Sequence, residues 1–220
     1  MRYIIGNWKA NLNLEEVDNF CQEWNVATPN EKTVALAVPC VFYAYLATRK
    51  IGFTPILQDI SIFGENGART GEITVENLRG IEPPFTLVGH SERRRDFGET
   101  NEVIVAKAKN LMRAKITPII CFDLEQMEEL AKLLQEFAPK TYLLAYEPVD
   151  AIGTGKNLSG ELLQAQFKLI RQVFAPGTKI LYGGSVKAEN VAQYHDLSDG
   201  VLVGGASLKP QEFAQIVERA

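Results

Sequence analysis

Short apolar runs recur along the chain, and each is apolar on both faces rather than alternating with polar residues. Eight such runs can be recognised: Tyr3 to Ile5, Thr33 to Val38, Thr54 to Leu57, Phe85 to Val88, Ile116 to Cys121, Tyr142 to Ala145, Lys179 to Tyr182, and Val201 to Val203. Strands of this kind are buried on both sides, which is typical of a parallel sheet covered by helices. The pattern therefore predicts eight parallel strands.

Segments with helical spacing of apolar residues separate these runs. Five are clear, with stripes at Leu14, Val17, Phe20, Cys21 and Trp24; Ile104, Ala108, Leu111 and Met112; Leu124, Met127, Leu130, Leu134 and Phe137; Leu163, Phe167, Ile170 and Phe174; and Phe213, Ile216 and Val217. Three gaps give weaker helix predictions, around Tyr43 to Lys50, Val75 to Arg79 and Ala188 to Tyr194. Because strand and helix alternate about eight times without a Ser/Pro linker, residues 1–220 are expected to form one domain, a closed (β/α)8 barrel. An open, doubly wound sheet of eight strands is the alternative.

The composition of the chain argues against several classes of binding partner. The 220 residues include 23 Lys and Arg against 27 Asp and Glu, a net charge of -4. This balance argues against nucleic acid or an anionic membrane as the main partner. Three cysteines and two histidines without a CxxC pair argue against a structural zinc site and favour a reducing compartment. No run reaches ~18 apolar residues and the N-terminal apolar stretch is too short for a signal peptide, so a cytoplasmic protein is expected.

Polar side chains and glycine pairs follow several of the predicted strands. In a barrel of this kind the loops after the strands build the active site, so these residues are expected to converge on one mouth. They are Asn7 and Lys9 after the first strand, His90 after the fourth, Glu147 after the sixth, Ser185 after the seventh, and Gly204 with Gly205 after the eighth. Each one alone is better explained as a surface charge or a satisfied polar residue. Together, polar groups at the corresponding ends of four strands indicate an active site.

Two glycine-rich turns, Tyr182 to Val186 and Leu202 to Ser207, follow the last two strands. Glycine lets backbone N–H groups approach a ligand, and the loops after strands seven and eight often hold phosphate in barrels. A third stretch, Pro148 to Lys156, places Ile152 inside a polar, glycine-bounded loop. It is interpreted as a lid that excludes water from the site, in preference to a long surface connection.

Six segments together resemble the triosephosphate isomerase family. They are Asn7-Trp8-Lys9, Val88 to Arg94 (VGHSERR), Ala145 to Val149 (AYEPV), Ala151 to Lys156 (AIGTGK), Tyr182 to Val186 (YGGSV), and Val203 to Leu208 (VGGASL). The resemblance spans residues 4–208 in the family's order. It implies a TIM barrel and an aldose-ketose isomerase that interconverts dihydroxyacetone phosphate and D-glyceraldehyde 3-phosphate through an enediolate in glycolysis and gluconeogenesis. It also implies that neither a metal nor an organic cofactor is needed.

The resemblance implies a role for each residue of the site. Glu147 resembles the base that moves a proton between neighbouring carbons, His90 the electrophile that donates to the carbonyl oxygens, and Lys9 the cation that faces the developing negative charge. Asn7 resembles a polar partner in the same pocket. The implied phosphate ligands are the backbone N–H groups of Gly153, Ser185, Gly204 and Gly205.

His90 is expected to act as a neutral donor. Ser91, Glu92 and Arg93 would open a helix directly after it. The positive end of a helix disfavours a protonated, positively charged imidazole beside it. A neutral histidine held in this way is the reference example from the triosephosphate isomerase family.

The segment Gly67 to Glu72 resembles the protruding loop that inserts beside a neighbour's active site in the family, which implies a homodimer; a plain surface turn is the alternative. Several positions depart from the family. Asp150 stands where Trp is usual at the front of the lid, Phe122 and Asp123 follow Cys121, and Arg69 replaces a commoner aromatic residue. The chain is also about 30 residues shorter than typical barrels of ~250. The missing length is expected in outer helices after strands five and six, which leaves a tetramer open.

Two other functions remain open from the sequence. A related phosphate-binding barrel acting on another phosphosugar would keep the glycine turns but need not keep Lys9, His90 and Glu147 together. A barrel that has lost activity and serves as an interaction scaffold is the third possibility. The intact polar set argues against it, because polar groups are costly to keep buried without a purpose.

Overall fold

Eight parallel strands close into a barrel in the computed structural model, which describes residues 2–27, 30–148 and 160–220. The strands are β1 (Arg2–Asn7), β2 (Lys32–Val38), β3 (Thr54–Leu57), β4 (Phe85–Val88), β5 (Thr117–Phe122), β6 (Leu143–Tyr146), β7 (Lys179–Tyr182) and β8 (Gly200–Val203). Each pairs with the next along the chain, and β8 pairs with β1. The predicted (β/α)8 barrel is confirmed, and the open-sheet alternative is wrong.

Closure occurs where β1 meets β8. Tyr3 pairs with Thr33 of β2 on one side and with Gly200 of β8 on the other. A Cβ atom at Gly200 would lie 2.1 Å from the Tyr3 carbonyl oxygen. Glycine is therefore required there, because any side chain would push the two strands apart.

Helices surround the strands. They are α1 (Leu14–Glu23), α2 (Cys40–Ala47), α3 (Ser91–Phe97), α4 (Asn101–Arg113), α5 (Met127–Leu134), α6 (Gly160–Val173) and α7 (Pro210–Arg219), with short 3-10 helices at Val75–Leu78, Pro139–Thr141, Val191–Tyr194 and Gly205–Leu208. None of the described helices is both long and apolar enough to cross a membrane.

The core has two layers because successive strand residues point to opposite faces. Ile4 packs against the helices, whereas its neighbour Ile5 points into the barrel. The inner layer consists of Ile5, Ala35, Ala37, Ile56, Leu87, Ile119, Cys121, Leu143, Ala145, Leu181 and Leu202. These small and medium-sized side chains fill the barrel, so that only its mouth remains for polar groups.

Three helix predictions differ from the structure. The predicted helix from Leu124 to Phe137 is observed only as α5, because the Asp123 carboxylate accepts the N–H groups of Glu125 and Gln126 and holds a turn in front of it. The weak predictions around Val75 and around Ala188 are single 3-10 turns. The weak prediction around Tyr43 is a true helix, α2.

Thr86 offers a test of the packing between β4 and the helices. It is fully buried, and its Oγ1 has no hydrogen-bond partner among the described residues. A buried hydroxyl without a partner costs stability, so Thr86→Val is expected to stabilise the protein by about 1 kcal/mol. Thermal unfolding should shift upward by roughly 2–4 °C in a protein of this size.

Thr178→Val is the matched control. Thr178 is also buried, but its hydroxyl donates to the Ala175 carbonyl at 2.8 Å, so the same substitution should lower the unfolding temperature. A Thr86→Val variant less stable than the parent would contradict this account.

Candidate active site

The Glu147 carboxyl group lies at the end of β6, buried inside the barrel mouth. Its backbone N–H continues the strand pairing by donating to the Phe122 carbonyl at 2.8 Å. One carboxylate oxygen lies 3.1 Å from His90 Nε2, and the other accepts the Ser91 N–H at 2.9 Å. The residue is only 2% exposed. Burial raises the pKa of the Glu147 carboxyl, although His90, the Ser91 N–H and Lys9 favour its charged form.

His90 is held by the first turn of α3, for which it is the N-cap residue. The Glu92 backbone N–H donates to His90 Nδ1 at 3.3 Å, so Nδ1 carries a lone pair. The proton is then assigned to Nε2, which donates to Glu147. This geometry turns Nε2 toward the Glu147 carboxylate, and the neutral form expected from the sequence stays a prediction.

Lys9 follows β1 in a left-handed backbone conformation, with φ of 53°. This is a strained conformation for a residue with a side chain, and strain of this kind is concentrated at functional sites. Two side chains stabilise it: Asn7 Oδ1 accepts the Lys9 N–H at 3.0 Å, and Gln58 Nε2 donates to the Lys9 carbonyl at 2.8 Å. The Lys9 ammonium group lies 2.7 Å from the Glu92 carboxylate.

One cavity of about 290 Å³ brings the predicted residues together. Its described lining consists of Asn7, Lys9, His90, Glu147, Gly183, Gly184, Ser185, Val186, Lys187, Leu202, Gly204, Gly205, Ala206 and Glu212. The two glycine turns lie next to the polar side chains: a Cβ atom at Gly204 would lie 3.8 Å from Lys9 Cε. Gly153, Asp150 and the rest of the predicted lid from Val149 to Lys156 lie outside the described residues.

Gly183 shows why one of these turns needs glycine. A Cβ atom there would lie 3.0 Å from the Glu147 Cγ and 3.2 Å from the Tyr146 carbonyl oxygen. A side chain would press on the buried carboxylate. The turn therefore approaches the acid closely enough for one small molecule to contact both.

Three residues contribute contacts that the sequence reasoning missed. Gln58 lies directly after β3, a strand-end position like those of the residues that were recognised. Glu92 belongs to the GHSERR motif, yet its ion pair with Lys9 joins residues 83 positions apart. Cys121 points into the barrel beneath Glu147; burial and the nearby carboxylate hold the pKa of its thiol well above the ordinary value, so it is inert.

Two of the departures from the family have defined ring contacts in the structure. Phe122 is buried against the rings of Tyr146 and Phe174, at 5.8 and 5.3 Å between centroids. The Arg69 guanidinium lies 4.0 Å from the centre of the Phe63 ring. Within the described part of the chain, no group of three or more His, Cys, Asp or Glu side chains is arranged to hold a metal ion.

Comparison with known proteins gives one consistent result. A sequence profile described as triosephosphate isomerase matches residues 2–220. The chain is 36% identical over 244 residues to the triosephosphate isomerase of Streptococcus thermophilus, a match that covers 98% of this chain and 97% of the relative. It is 36% identical over 245 residues to that of Neisseria meningitidis, covering 100% and 97%. It is 37% identical over 251 residues to that of Acinetobacter baumannii, covering 98% and 95%.

The raised pKa of Glu147 predicts a pH-dependent stability difference. Since the folded state holds this proton more tightly than the unfolded state, ionising Glu147 costs stability as the pH rises from its ordinary value of 4.5 through the raised value. Relative to the parent, Glu147→Gln should therefore gain stability across this window, by about 1.4 kcal/mol for each unit by which the pKa is raised.

Thermal unfolding of both proteins between pH 4 and pH 8 measures the difference. The exposed residue Glu125 provides the control, since Glu125→Gln should follow the parent at every pH. A constant difference between Glu147→Gln and the parent across the whole range would show that burial does not raise this pKa.

Proposed function

This chain belongs to the triosephosphate isomerase family, and we propose that Glu147, His90 and Lys9 carry out the family's reaction in it. The protein is an isomerase that interconverts dihydroxyacetone phosphate and D-glyceraldehyde 3-phosphate, a step of glycolysis and gluconeogenesis. The observation that carries the residue assignment is the contact between His90 Nε2 and the Glu147 carboxylate, 3.1 Å apart, in a cavity that Lys9 also lines.

Glu147 acts as the base. Its carboxylate removes the proton from the carbon next to the substrate carbonyl and returns it to the neighbouring carbon. Because burial weakens the hydration of the carboxylate and raises its pKa, it is a stronger base than a glutamate in water. The substrate carbon must take the place that the His90 N–H and the Ser91 N–H occupy around the carboxylate in this structure.

His90 and Lys9 stabilise the enediolate that forms when the proton leaves. His90 donates from Nε2 to the substrate oxygens as a neutral imidazole, with its orientation held by the Glu92 N–H on Nδ1. Lys9 supplies a positive charge at the same cavity. Donors held in place before the reaction need no reorganisation as charge develops, which is the largest contribution in many enzymes.

The phosphate group binds between the glycine turns. We assign its ligands to backbone N–H groups of Ser185, Gly204, Gly205 and Gly153, with Asn7 as a polar neighbour of the reacting carbons. Ser185, Gly204 and Gly205 line the same cavity as Glu147, which supports the assignment. Successive backbone N–H groups without side chains between them form a concave surface suited to an anion.

The active form is a homodimer, and residues 1–220 act as one catalytic domain. The support for a dimer is an apolar face beside the site: Val41 and Phe97 are 77% and 69% exposed. Phe97 lines a cavity of about 440 Å³ together with the end of the segment Gly67 to Glu72, and this cavity reaches Lys9 and His90. A second copy seated there would bury both apolar side chains next to the catalytic groups. The cytoplasm is the compartment where its sugar phosphate substrates occur.

Removing the base tests the residue assignment. Glu147→Gln keeps the shape of the side chain but cannot accept a proton, so turnover of D-glyceraldehyde 3-phosphate in a coupled assay should fall by about 100- to 10,000-fold. Circular dichroism should show an unchanged fold. The control Glu125→Gln should keep parental turnover.

The result also separates the alternatives. Near-parental turnover by Glu147→Gln would refute the role of this carboxylate. A parent protein that is inactive on triose phosphates but turns over a longer phosphosugar would indicate the other barrel enzyme, and inactivity on both would indicate a scaffold.

The dimer is tested at its most exposed aromatic residue. Phe97→Glu places a charge on the proposed apolar contact, so light scattering should show monomers where the parent shows dimers. Leu169→Glu is the control, since Leu169 is also exposed but lies on α6, away from this face. A parent that is monomeric would overturn the proposal, and a tetrameric parent would show that dimers associate further.

A further inference from the structure

The turn after β7 lies between Glu147 and the proposed phosphate-binding region, and hydrogen bonds from two sides hold it. It runs from Gly183 to Lys187 and lines the site cavity over its whole length. The Gly183 N–H donates to the Tyr146 carbonyl, and the Val186 N–H donates back to the Gly184 carbonyl, both at 2.8 Å. The Val186 N–H belongs to the peptide group between Ser185 and Val186, so the second of these bonds holds one side of that group.

The side chain of Asn190 adds two further hydrogen bonds to this turn. Its Nδ2 donates to the Ser185 carbonyl at 2.8 Å, and its Oδ1 accepts the Lys187 N–H at 2.8 Å. One planar amide therefore binds the peptide groups on both sides of Val186. Asparagine is suited to this because its amide presents a donor and an acceptor in the same relation as a peptide group.

We propose that Asn190 is a positioning residue for phosphate binding, acting through the turn that carries Ser185. The proposal rests on the function assigned above, in which the Ser185 N–H contacts the substrate phosphate. Asn190 is not among the described residues that line the cavity, so it reaches the ligand only through this turn.

Asn190 acts by orienting the backbone on one side of Ser185. The Ser185 carbonyl belongs to the peptide group that directly follows the Ser185 Cα, so holding this oxygen restricts the backbone on one side of the residue whose N–H binds phosphate. Without the amide, two or three residues of the turn regain rotational freedom, and this freedom must be lost again when the phosphate binds. Small displacements of a positioning group have large effects on rate.

Further hydrogen bonds hold the backbone around Asn190 in place. The Lys187 carbonyl accepts the N–H groups of Asn190 and Val191 at 3.2 and 3.0 Å, which closes the turn into the 3-10 helix. Arg219 of α7 donates from Nη1 to the Ala188 carbonyl at 3.1 Å. The backbone next to Asn190 is thus hydrogen-bonded to the end of the last helix. Asn190 in turn is hydrogen-bonded to the Ser185 carbonyl.

Comparison of substrates with and without phosphate tests the proposal. Asn190→Ala should lower kcat/KM for D-glyceraldehyde 3-phosphate about tenfold, mainly through KM, and should raise the inhibition constant of inorganic phosphate by a similar factor. The slow turnover of D-glyceraldehyde, which lacks the phosphate, should stay at the parental value because it depends on Glu147, His90 and Lys9 alone. A purely structural role would lower the turnover of both substrates together.

Two further variants sharpen the result. Asn190→Asp has the same shape and keeps the acceptor for the Lys187 N–H, but it cannot donate to Ser185 and adds a negative charge, so its loss on the phosphorylated substrate should equal or exceed that of Asn190→Ala. Gln193→Ala, in the same 3-10 helix, removes an amide that donates to the Tyr194 hydroxyl rather than to the turn, and should behave as the parent.

Three outcomes would overturn the proposal: an unchanged KM in Asn190→Ala, parental kinetics in Asn190→Asp, or an equal loss on both substrates. If Asn190→Ala does not fold, as judged by circular dichroism, the isosteric Asn190→Asp decides alone. A parent protein without activity on triose phosphates would instead refute the proposed function, which is a different result.

Discussion

The position of the Glu147 carboxylate is the constraint on which the rest of the site depends. Closure of the barrel removes this group from water, and the filled inner layer leaves no space beneath it. A buried carboxylate is tolerated only with donors around it, and here they are the Ser91 N–H and His90 Nε2. Both donors come from the start of α3, so one end of this helix supplies both contacts to the carboxylate.

His90 and Lys9 are linked through one further residue, Glu92. The backbone of Glu92 holds His90 Nδ1, while its carboxylate pairs with Lys9. Lys9 itself sits in a left-handed conformation supported by Asn7 and Gln58. Lys9, His90 and Glu147 are therefore joined by one chain of contacts, which runs from Lys9 through Glu92 and His90 to Glu147. This is the kind of order that electrostatic stabilisation of an enediolate requires.

A cluster of partly buried charges lies beside this site and lines a cavity that Lys9 and His90 also line. Arg93, three residues after His90, lies 2.8 Å from Asp59 and 2.6 Å from Glu99. Lys107 of α4 lies 2.7 Å from each of the same two carboxylates. Two cations and two anions balance within the cluster, which offsets the cost of burying them. Through the ion pair between Asp59 and Arg93 the cluster joins the segment after β3 to the first turn of α3.

Much of this architecture could be predicted from the residues in order along the chain. Runs apolar on both faces predicted eight buried parallel strands, and polar residues at their ends predicted which side chains meet, because parallel strands bring their C-terminal ends to one mouth. Helix ends were predicted less well: α5 begins three residues late because the Asp123 side chain captures two backbone N–H groups, a competition that periodicity does not register.

The sequence by itself determined the barrel, and it predicted that Glu147, His90, Lys9 and the glycine turns lie at one mouth, where the structure places them around one cavity. Only the tertiary structure decided which nitrogen of His90 faces Glu147, that Glu92 pairs with Lys9, and that Asn190 and Gln58 brace the segments beside them. The reason is that local pattern reports burial and backbone preference, whereas these contacts depend on distances between atoms. Most join residues that are far apart in the chain, and even the bonds from Asn190 to its near neighbours require a particular fold of the turn.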